Sequence, residues 1–127
     1  MNYGEAVETI QESIRCGVNY LDTSPWYGNS EAIIGEALKN VPREAYYIGT
    51  KVGRYFTPTW ENRFDFSGQA VLKSVEKSLQ LLGLEYVDII QVNTTTLSCV
   101  ACKIYFVNFP VTLMTHLKLR HLNDCIV

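Results

Sequence analysis

Three side chains of the sequence, Asp22, Tyr27 and Lys51, are of the types that move protons, and each lies at or just after the end of an apolar run. A tyrosine has a reference pKa of about 10 and therefore keeps its proton at neutral pH. A neighbouring ammonium such as Lys51 would stabilise the phenolate and make the phenol a better general acid. Asp22 could fix that ammonium by a charge-assisted hydrogen bond. If the fold brings the three together they form a proton relay, and otherwise they are a surface ion pair and a loop tyrosine.

The elements that must position these residues alternate between helix and strand. Apolar residues at helical spacing, with capping residues before them, predict helices beginning at Asn2, at Asn29 or Ser30, and at Ser67. Glycines at Gly17 and Gly83 mark where the first and third helices stop. Short β-branched and aromatic runs predict strands over 18–23, 46–52 and 86–92.

Helices that connect apolar strands are typical of a parallel sheet built from crossover units, so the fold class is α/β. A barrel and an open doubly wound sheet both fit this pattern. The turn after the first strand lacks the spaced glycines of a dinucleotide-binding fingerprint, which counts against the open sheet. Reactive side chains at the ends of different strands favour the barrel. From Gly53 to Phe66 the chain has no period but five aromatics, which predicts a long loop that covers the site or packs locally.

The segment GVNYLDTSPWYGNSE at 17–31 is similar to the first signature of the aldo-keto reductases. The likeness continues through Thr50-Lys51 and the segment 82–91, and covers residues 4–92. Within the family, DTSPWYGNSE and the FDFS at 64–67 resemble L-galactose dehydrogenase-type members. The resemblance implies an eight-stranded (β/α)8 TIM barrel that transfers hydride between NADP(H) or NAD(H) and a small carbonyl or sugar substrate.

The same resemblance implies roles for single residues. Tyr27 would be the proton donor, Lys51 and Asp22 its tuning partners, and Asp22 would also lie against the cofactor. Where the family has a histidine after the third predicted strand, this chain has Asn93, whose amide can hydrogen-bond a carbonyl oxygen but cannot titrate.

A whole barrel needs about 250 residues, and this sequence shows about three strand-helix units. We therefore expect residues 1–92 to form a partial, truncated barrel and residues 93–127 a divergent tail. Two functions remain open on the sequence: an oxidoreductase of this family, or a non-catalytic fragment or interaction module.

The tail carries a second motif. Cys99 and Cys102 form a CxxC, and His116 and His121 follow at the spacing of a tetrahedral zinc site. The segment resembles, weakly, a zinc finger of the BED type, which would make a nucleic-acid partner conceivable. The alternative is that the spacing is accidental and the tail is a splicing or reading-frame product.

Composition narrows the class further. The 127 residues are 47% hydrophobic and 19% charged, with a net charge of −2, which is typical of a globular chain. We expect no membrane span, because the apolar stretch near the carboxyl terminus is interrupted by charged and polar residues. We expect a cytoplasmic location with reduced cysteines. The oligomeric state is not readable from the sequence.

Overall fold

The computed structural model describes residues 2–55 and 64–92, and residues 104–106 for the backbone alone. The elements follow in the order α1 (Tyr3–Arg15), β1 (Tyr20–Asp22), α2 (Ser30–Leu38), a 3-10 turn (Arg43–Ala45), β2 (Tyr47–Val52), α3 (Gly68–Leu82), β3 (Ile89–Val92) and β4 (Ile104–Phe106).

The four strands form one sheet in the order β1-β2-β3-β4. β1, β2 and β3 are parallel, and each lies beside its predecessor in the sequence. A doubly wound sheet would reverse its strand order, whereas a barrel adds each strand to the last one, so this order supports the predicted barrel. β4 pairs antiparallel with β3, a strand that the sequence did not predict.

The helices begin and end for the reasons that the sequence gives. Asn2 and Glu5 form a reciprocal capping box at the start of α1, as predicted. The hydroxyl of Ser67 accepts a hydrogen bond from the Ala70 amide at the start of α3, and Gly83 ends that helix in the left-handed region with a φ of +66°. Asn29 is the N-cap residue of α2, but its side chain makes no capping hydrogen bond.

Two of the predicted strands begin two or more residues later than expected. The strand over 18–23 begins only at Tyr20, because the Val18 amide donates a hydrogen bond to the backbone carbonyl oxygen of Ser13 at 3.0 Å and so closes the end of α1. The strand over 86–92 begins at Ile89, directly after Asp88, whose carboxylate accepts a hydrogen bond from the Ile48 amide on β2.

The core lies between the sheet and helices α2 and α3. It is built from aliphatic side chains on one face of each element, which are removed from water together: Ile34, Leu38, Ile48, Val52, Val75, Leu79, Leu82 and Ile90. α2 and α3 approach closely at Gly35, where an added Cβ would lie 2.4 Å from the Leu81 carbonyl oxygen. None of the helices in the described ranges is long and apolar enough to cross a membrane.

Candidate active site

The carboxyl ends of β1 and β2 carry Asp22 and Lys51 to the same edge of the sheet. Asp22 pairs in register with Gly49, two residues before Lys51. Residues two apart on a strand point to the same face, so both side chains project from the sheet face opposite to Leu21 and Thr50. That face is partly open: Tyr20 is 42% exposed and the Asp22 side chain 38%.

The Lys51 ammonium is the centre of the site. It forms an ion pair with Asp22 Oδ2 and donates a hydrogen bond to the Thr23 carbonyl oxygen at 3.2 Å. It also lies 4.8 Å from the centroid of the Tyr27 ring. The structure therefore brings the phenol, the ammonium and the carboxylate together, which is the arrangement that a relay requires.

The pKa of Lys51 is set by two opposing effects. Burial of the ammonium alone would lower the pKa, since only 13% of the side chain is exposed. Hydrogen bonds to Asp22 and Tyr27, and the charges of the two groups, raise it by more, so the pKa lies above the usual 10.5. Lys51 is thus a fixed positive charge at neutral pH, placed beside the phenol.

Tyr27 lies on a loop that is held at both ends. Its amide donates to the Ser24 carbonyl at 2.9 Å, and its own carbonyl accepts from the Ser30 amide at 3.2 Å. The hydroxyls of Thr23 and Ser30 join the two ends of the loop across 3.0 Å. Tyr27 itself is 48% exposed, so its side chain is accessible to a ligand.

A buried carboxylate fixes the helix that follows this loop. Glu31, in the first turn of α2, is 2% exposed and accepts a hydrogen bond from the Thr50 hydroxyl at 2.7 Å. Thr50 immediately precedes Lys51 on β2. The hydrogen bond fixes the start of α2 against β2, the strand that carries Lys51. This is the structural role of Glu31, the last residue of the motif at 17–31.

Sequence reasoning missed Gln91 and Arg54. Gln91 Nε2 donates to Asp22 Oδ1 at 3.4 Å, and strict alternation along β3 would have placed Gln91 on the site face opposite Lys51 in register. Arg54, three residues after Lys51, lies with its guanidinium 4.1 Å from the Trp26 ring centroid. The feature of the sequence that could have identified Arg54 is its position three residues after Lys51, at the carboxyl end of β2.

The loop predicted to cover the site is described at its two ends. Arg54 and Phe64 form an antiparallel bridge, and Phe64 stacks on Phe66 with ring centroids 6.3 Å apart. Phe66 lies so close to Gly53, whose φ is +94°, that a Cβ there would overlap the ring. Residues 56–63 lie outside the described residues.

The remaining predicted site residues also lie outside the described ranges: Asn93, Cys99, Cys102, His116 and His121. Their roles, and the boundary between 1–92 and 93–127, stay predictions. Within residues 2–55 and 64–92, no group of three or more histidine, cysteine, aspartate or glutamate side chains is placed to hold a metal ion.

Comparison with known proteins gives a consistent result. The sequence profile of the Aldo/keto reductase family matches residues 1–105. The chain is 47% identical over 90 residues to an L-galactose dehydrogenase of Arabidopsis thaliana, covering 68% of this chain and 27% of that protein. It is 39% identical over 94 residues to an NADH-specific methylglyoxal reductase of Escherichia coli strain K12, covering 65% and 29%.

Solved structures agree with the sequence comparisons. An aldo-keto reductase from Bacillus halodurans, solved in its holo form, superposes with a TM-score of 0.67 at 31% identity, covering 76% of this chain and 33% of that one. The chain thus spans less than a third of the length of the two curated relatives. The parallel strands and their helices are consistent with part of a TIM barrel, which confirms the fold class predicted from the sequence.

Proposed function

Because this chain belongs to the aldo/keto reductase family, we propose that it is an NAD(P)H-dependent oxidoreductase that reduces a carbonyl or oxidises an alcohol of a small molecule or sugar. The observation that supports this most directly is the Lys51 ammonium, which is paired with Asp22 and lies 4.8 Å from the Tyr27 ring centroid.

Tyr27 is the proposed acid. As a hydride adds to the carbonyl carbon, the carbonyl oxygen takes the phenolic proton of Tyr27 and leaves a phenolate. The fixed charge of Lys51 stabilises that phenolate, and in the oxidative direction the phenolate takes the proton back from the alcohol. A general acid of this kind contributes about 10²–10⁴ in rate.

Asp22 and Gln91 are proposed to hold the ammonium in place. Asp22 accepts from Lys51 with one oxygen and from Gln91 with the other. An ionised carboxylate has about four lone-pair sites, so Asp22 can accept a further hydrogen bond. This capacity, on a side chain 38% exposed, fits a hydroxyl of a bound nicotinamide cofactor.

When bound, such a cofactor supplies or accepts the hydride. Asp22 would hold it at this edge of the sheet, beside the accessible Tyr27. We also propose a cytoplasmic location, and titration with each nucleotide distinguishes NADH from NADPH.

Asn93 completes the proposal by its position after β3. Its amide would donate a hydrogen bond to the carbonyl oxygen and orient it toward Tyr27. Because an amide does not titrate, Asn93 itself would add no ionisation to the pH dependence of the chemical step.

The substrates proposed for a first test are those named by the relatives: L-galactose in the oxidative direction and methylglyoxal in the reductive one. Both are small molecules with the functional groups that the site can serve. The turnover measurement with each substrate decides which of the two this chain prefers.

The test combines cofactor binding with turnover. NADH and NADPH are titrated against the protein by fluorescence, and oxidation or reduction of the cofactor is followed with each substrate. Tyr27→Phe should lower kcat by about 10² or more while leaving the cofactor Kd unchanged. Tyr47→Phe is the matched control, because Tyr47 is also exposed but lies at the amino end of β2. If neither nucleotide binds, the proposal fails and the alternative of a non-catalytic fragment or interaction module replaces it.

The zinc hypothesis for the tail is tested separately, since its four residues lie outside the described ranges. Addition of one equivalent of Zn²⁺ should change the circular dichroism of the chain if Cys99, Cys102, His116 and His121 are ligands, because metal binding would drive folding. No change would remove zinc, and with it the argument for a nucleic-acid partner.

A further inference from the structure

Two arginines within residues 2–55 and 64–92 lie over aromatic rings, and they differ in the charged groups around them. The Arg43 guanidinium lies 4.1 Å from the Tyr86 ring centroid and 4.9 Å from that of Tyr46. It is also paired with Asp88 at 2.6 Å and donates to the Tyr46 carbonyl oxygen. Arg43 is therefore a neutralised structural group at the end of the sheet where β2 begins.

Arg54 has the aromatic neighbours without the carboxylate. Its guanidinium lies 4.1 Å from the Trp26 ring centroid and 5.7 Å from that of Phe64. Among the ion pairs formed by residues 2–55 and 64–92, none involves Arg54. Its Nε is buried and has no hydrogen-bond partner within those ranges.

The position of Arg54 is beside the proposed reaction centre. Trp26 directly precedes Tyr27, and Arg54 follows Lys51 by three residues. The loop after β1 therefore contacts β2 through Tyr27 and Lys51, and the segment after β2 through Trp26 and Arg54. Trp26 and Tyr27 are consecutive, with Cα atoms about 3.8 Å apart, so the two contacts involve neighbouring residues of one loop.

The two cations at this edge differ in their pairing. Lys51 is paired with Asp22, whereas none of the ion pairs formed within residues 2–55 and 64–92 neutralises Arg54. Stacking on aromatic rings restricts the guanidinium, and a guanidinium presents a planar fork of donors that suits a carboxylate or phosphate.

We infer that Arg54 binds an oxyanion of the substrate, a carboxylate or a phosphate, and so selects acidic carbonyl or sugar substrates. The identification of the anion as a substrate rests on the proposed reductase function, but binding of an anion at Arg54 does not require turnover. The alternative source of the same chemistry is a phosphate of the cofactor, which the experiment distinguishes.

The test is a binding measurement on the whole chain. D-Gluconate and D-sorbitol are matched six-carbon polyols that differ in a carboxylate, and each is titrated while tryptophan emission is recorded. Trp26 is the reporter because the Arg54 guanidinium lies against its ring. The second tryptophan, Trp60, is replaced by phenylalanine so that the signal comes from Trp26 alone. Inorganic phosphate is a second probe.

Three variants separate the effect of the Arg54 charge on binding from any effect on folding. Arg54→Met removes the charge and should weaken gluconate binding about tenfold or more, the loss expected for one charge-assisted hydrogen-bonded pair. Arg54→Lys keeps the charge without the fork and should fall between. Arg15→Met is the matched control, since Arg15 is an exposed arginine on α1 paired with Glu12.

Saturable gluconate binding that is lost in Arg54→Met, kept in Arg15→Met and absent with sorbitol supports the inference. Equal gluconate binding by Arg54→Met and the parent chain overturns it, as does sorbitol binding as tight as gluconate. If Arg54→Met does not fold, as judged by circular dichroism, Arg54→Lys decides in its place.

NADPH titration of the same variants identifies the source of the anion. Unchanged NADPH affinity in Arg54→Met supports a substrate oxyanion, whereas weaker NADPH binding with unchanged gluconate binding overturns it in favour of a cofactor phosphate. If the parent chain binds gluconate but does not bind NADPH, the proposed reductase function is contradicted and the anion site is still supported.

Discussion

The substitution Gly35→Ala tests the packing that supports the site. Gly35 lies in α2, and a Cβ built there would be 2.4 Å from the Leu81 carbonyl oxygen and 2.8 Å from that of Leu82. Both contacts are to backbone at the end of α3, so no side chain can rotate away. The helices would have to separate by about 1.0 Å to lengthen the 2.4 Å contact to the ordinary van der Waals distance of 3.4 Å.

The energetic effect follows from this displacement. A gap of 0.5–1 Å forfeits roughly a quarter to a half of each dispersion contact. Overpacking usually costs about 1–3 kcal/mol, and contact with rigid backbone favours the upper part of that range. Alanine regains up to about 1 kcal/mol through its higher helix propensity. We expect the free energy of unfolding to fall by about 2 kcal/mol.

Urea denaturation followed by far-UV circular dichroism measures this change. Gly4→Ala is the matched control: it is the same substitution in α1, where the nearest atom to the added Cβ is Asn2 Oδ1 at 3.5 Å. It should stabilise by about 0.5–1 kcal/mol. With a slope near 1 kcal/mol per M, the midpoints of the two variants should differ by about 2.5–3 M. A Gly35→Ala midpoint at or above that of the parent would refute the close packing of α2 and α3.

Three further predictions concern charged and titrating groups. Asp88→Ala should lower the free energy of unfolding by about 2–3 kcal/mol, because it leaves the half-buried Arg43 charge unpaired. Stability should fall as the pH rises above 10, because the pKa values of Tyr46 and Lys51 in the folded chain lie above their usual values of 10.0 and 10.5. Burial raises the pKa of Tyr46. In Lys51 burial lowers the pKa, but hydrogen bonds to Asp22 and Tyr27 raise it by more. Asp65, whose pKa is held below 3.8 by hydrogen bonds at the start of α3, should stabilise the chain above that value and lose its contribution as the pH falls through the lowered pKa. Denaturation midpoints as a function of pH measure both effects.

Each of these predictions has its own control. Glu12→Ala removes an exposed carboxylate paired with Arg15 and should change stability by less than about 1 kcal/mol. Lys51→Met and Tyr46→Phe should each flatten the alkaline slope, and Asp65→Asn the acid one. An Asp88→Ala effect no larger than that of Glu12→Ala, or slopes unchanged by the substitutions, would contradict the assigned partners.

Much of the fold could be predicted because local signals and packing agree. The capping box of Asn2 and Glu5 and the stop at Gly83 fixed helix ends that depend on near neighbours alone. Strand starts were less predictable, because they depend on partners distant in sequence. Asp88 marks the start of β3 through the Ile48 amide, 40 residues away.

The site shows the same division. Asp22, Tyr27 and Lys51 are recognisable because strand ends of a parallel sheet meet at one edge, and the structure brings them together. Gln91 and Arg54 were missed because their importance depends on which side chains face them. Strand β4 was missed because residues 104–106 fall in the segment that the sequence analysis interpreted, from its cysteine and histidine spacing, as a divergent tail.

The hydroxyl contact between Thr23 and Ser30 has a consequence for ligand binding. A loop closed at both ends has already lost most of its conformational entropy on folding, so a ligand that contacts Tyr27 would not have to order the segment again. The free energy of its contacts would then appear more fully as affinity, and the rate of association would not be limited by a slow rearrangement of this loop.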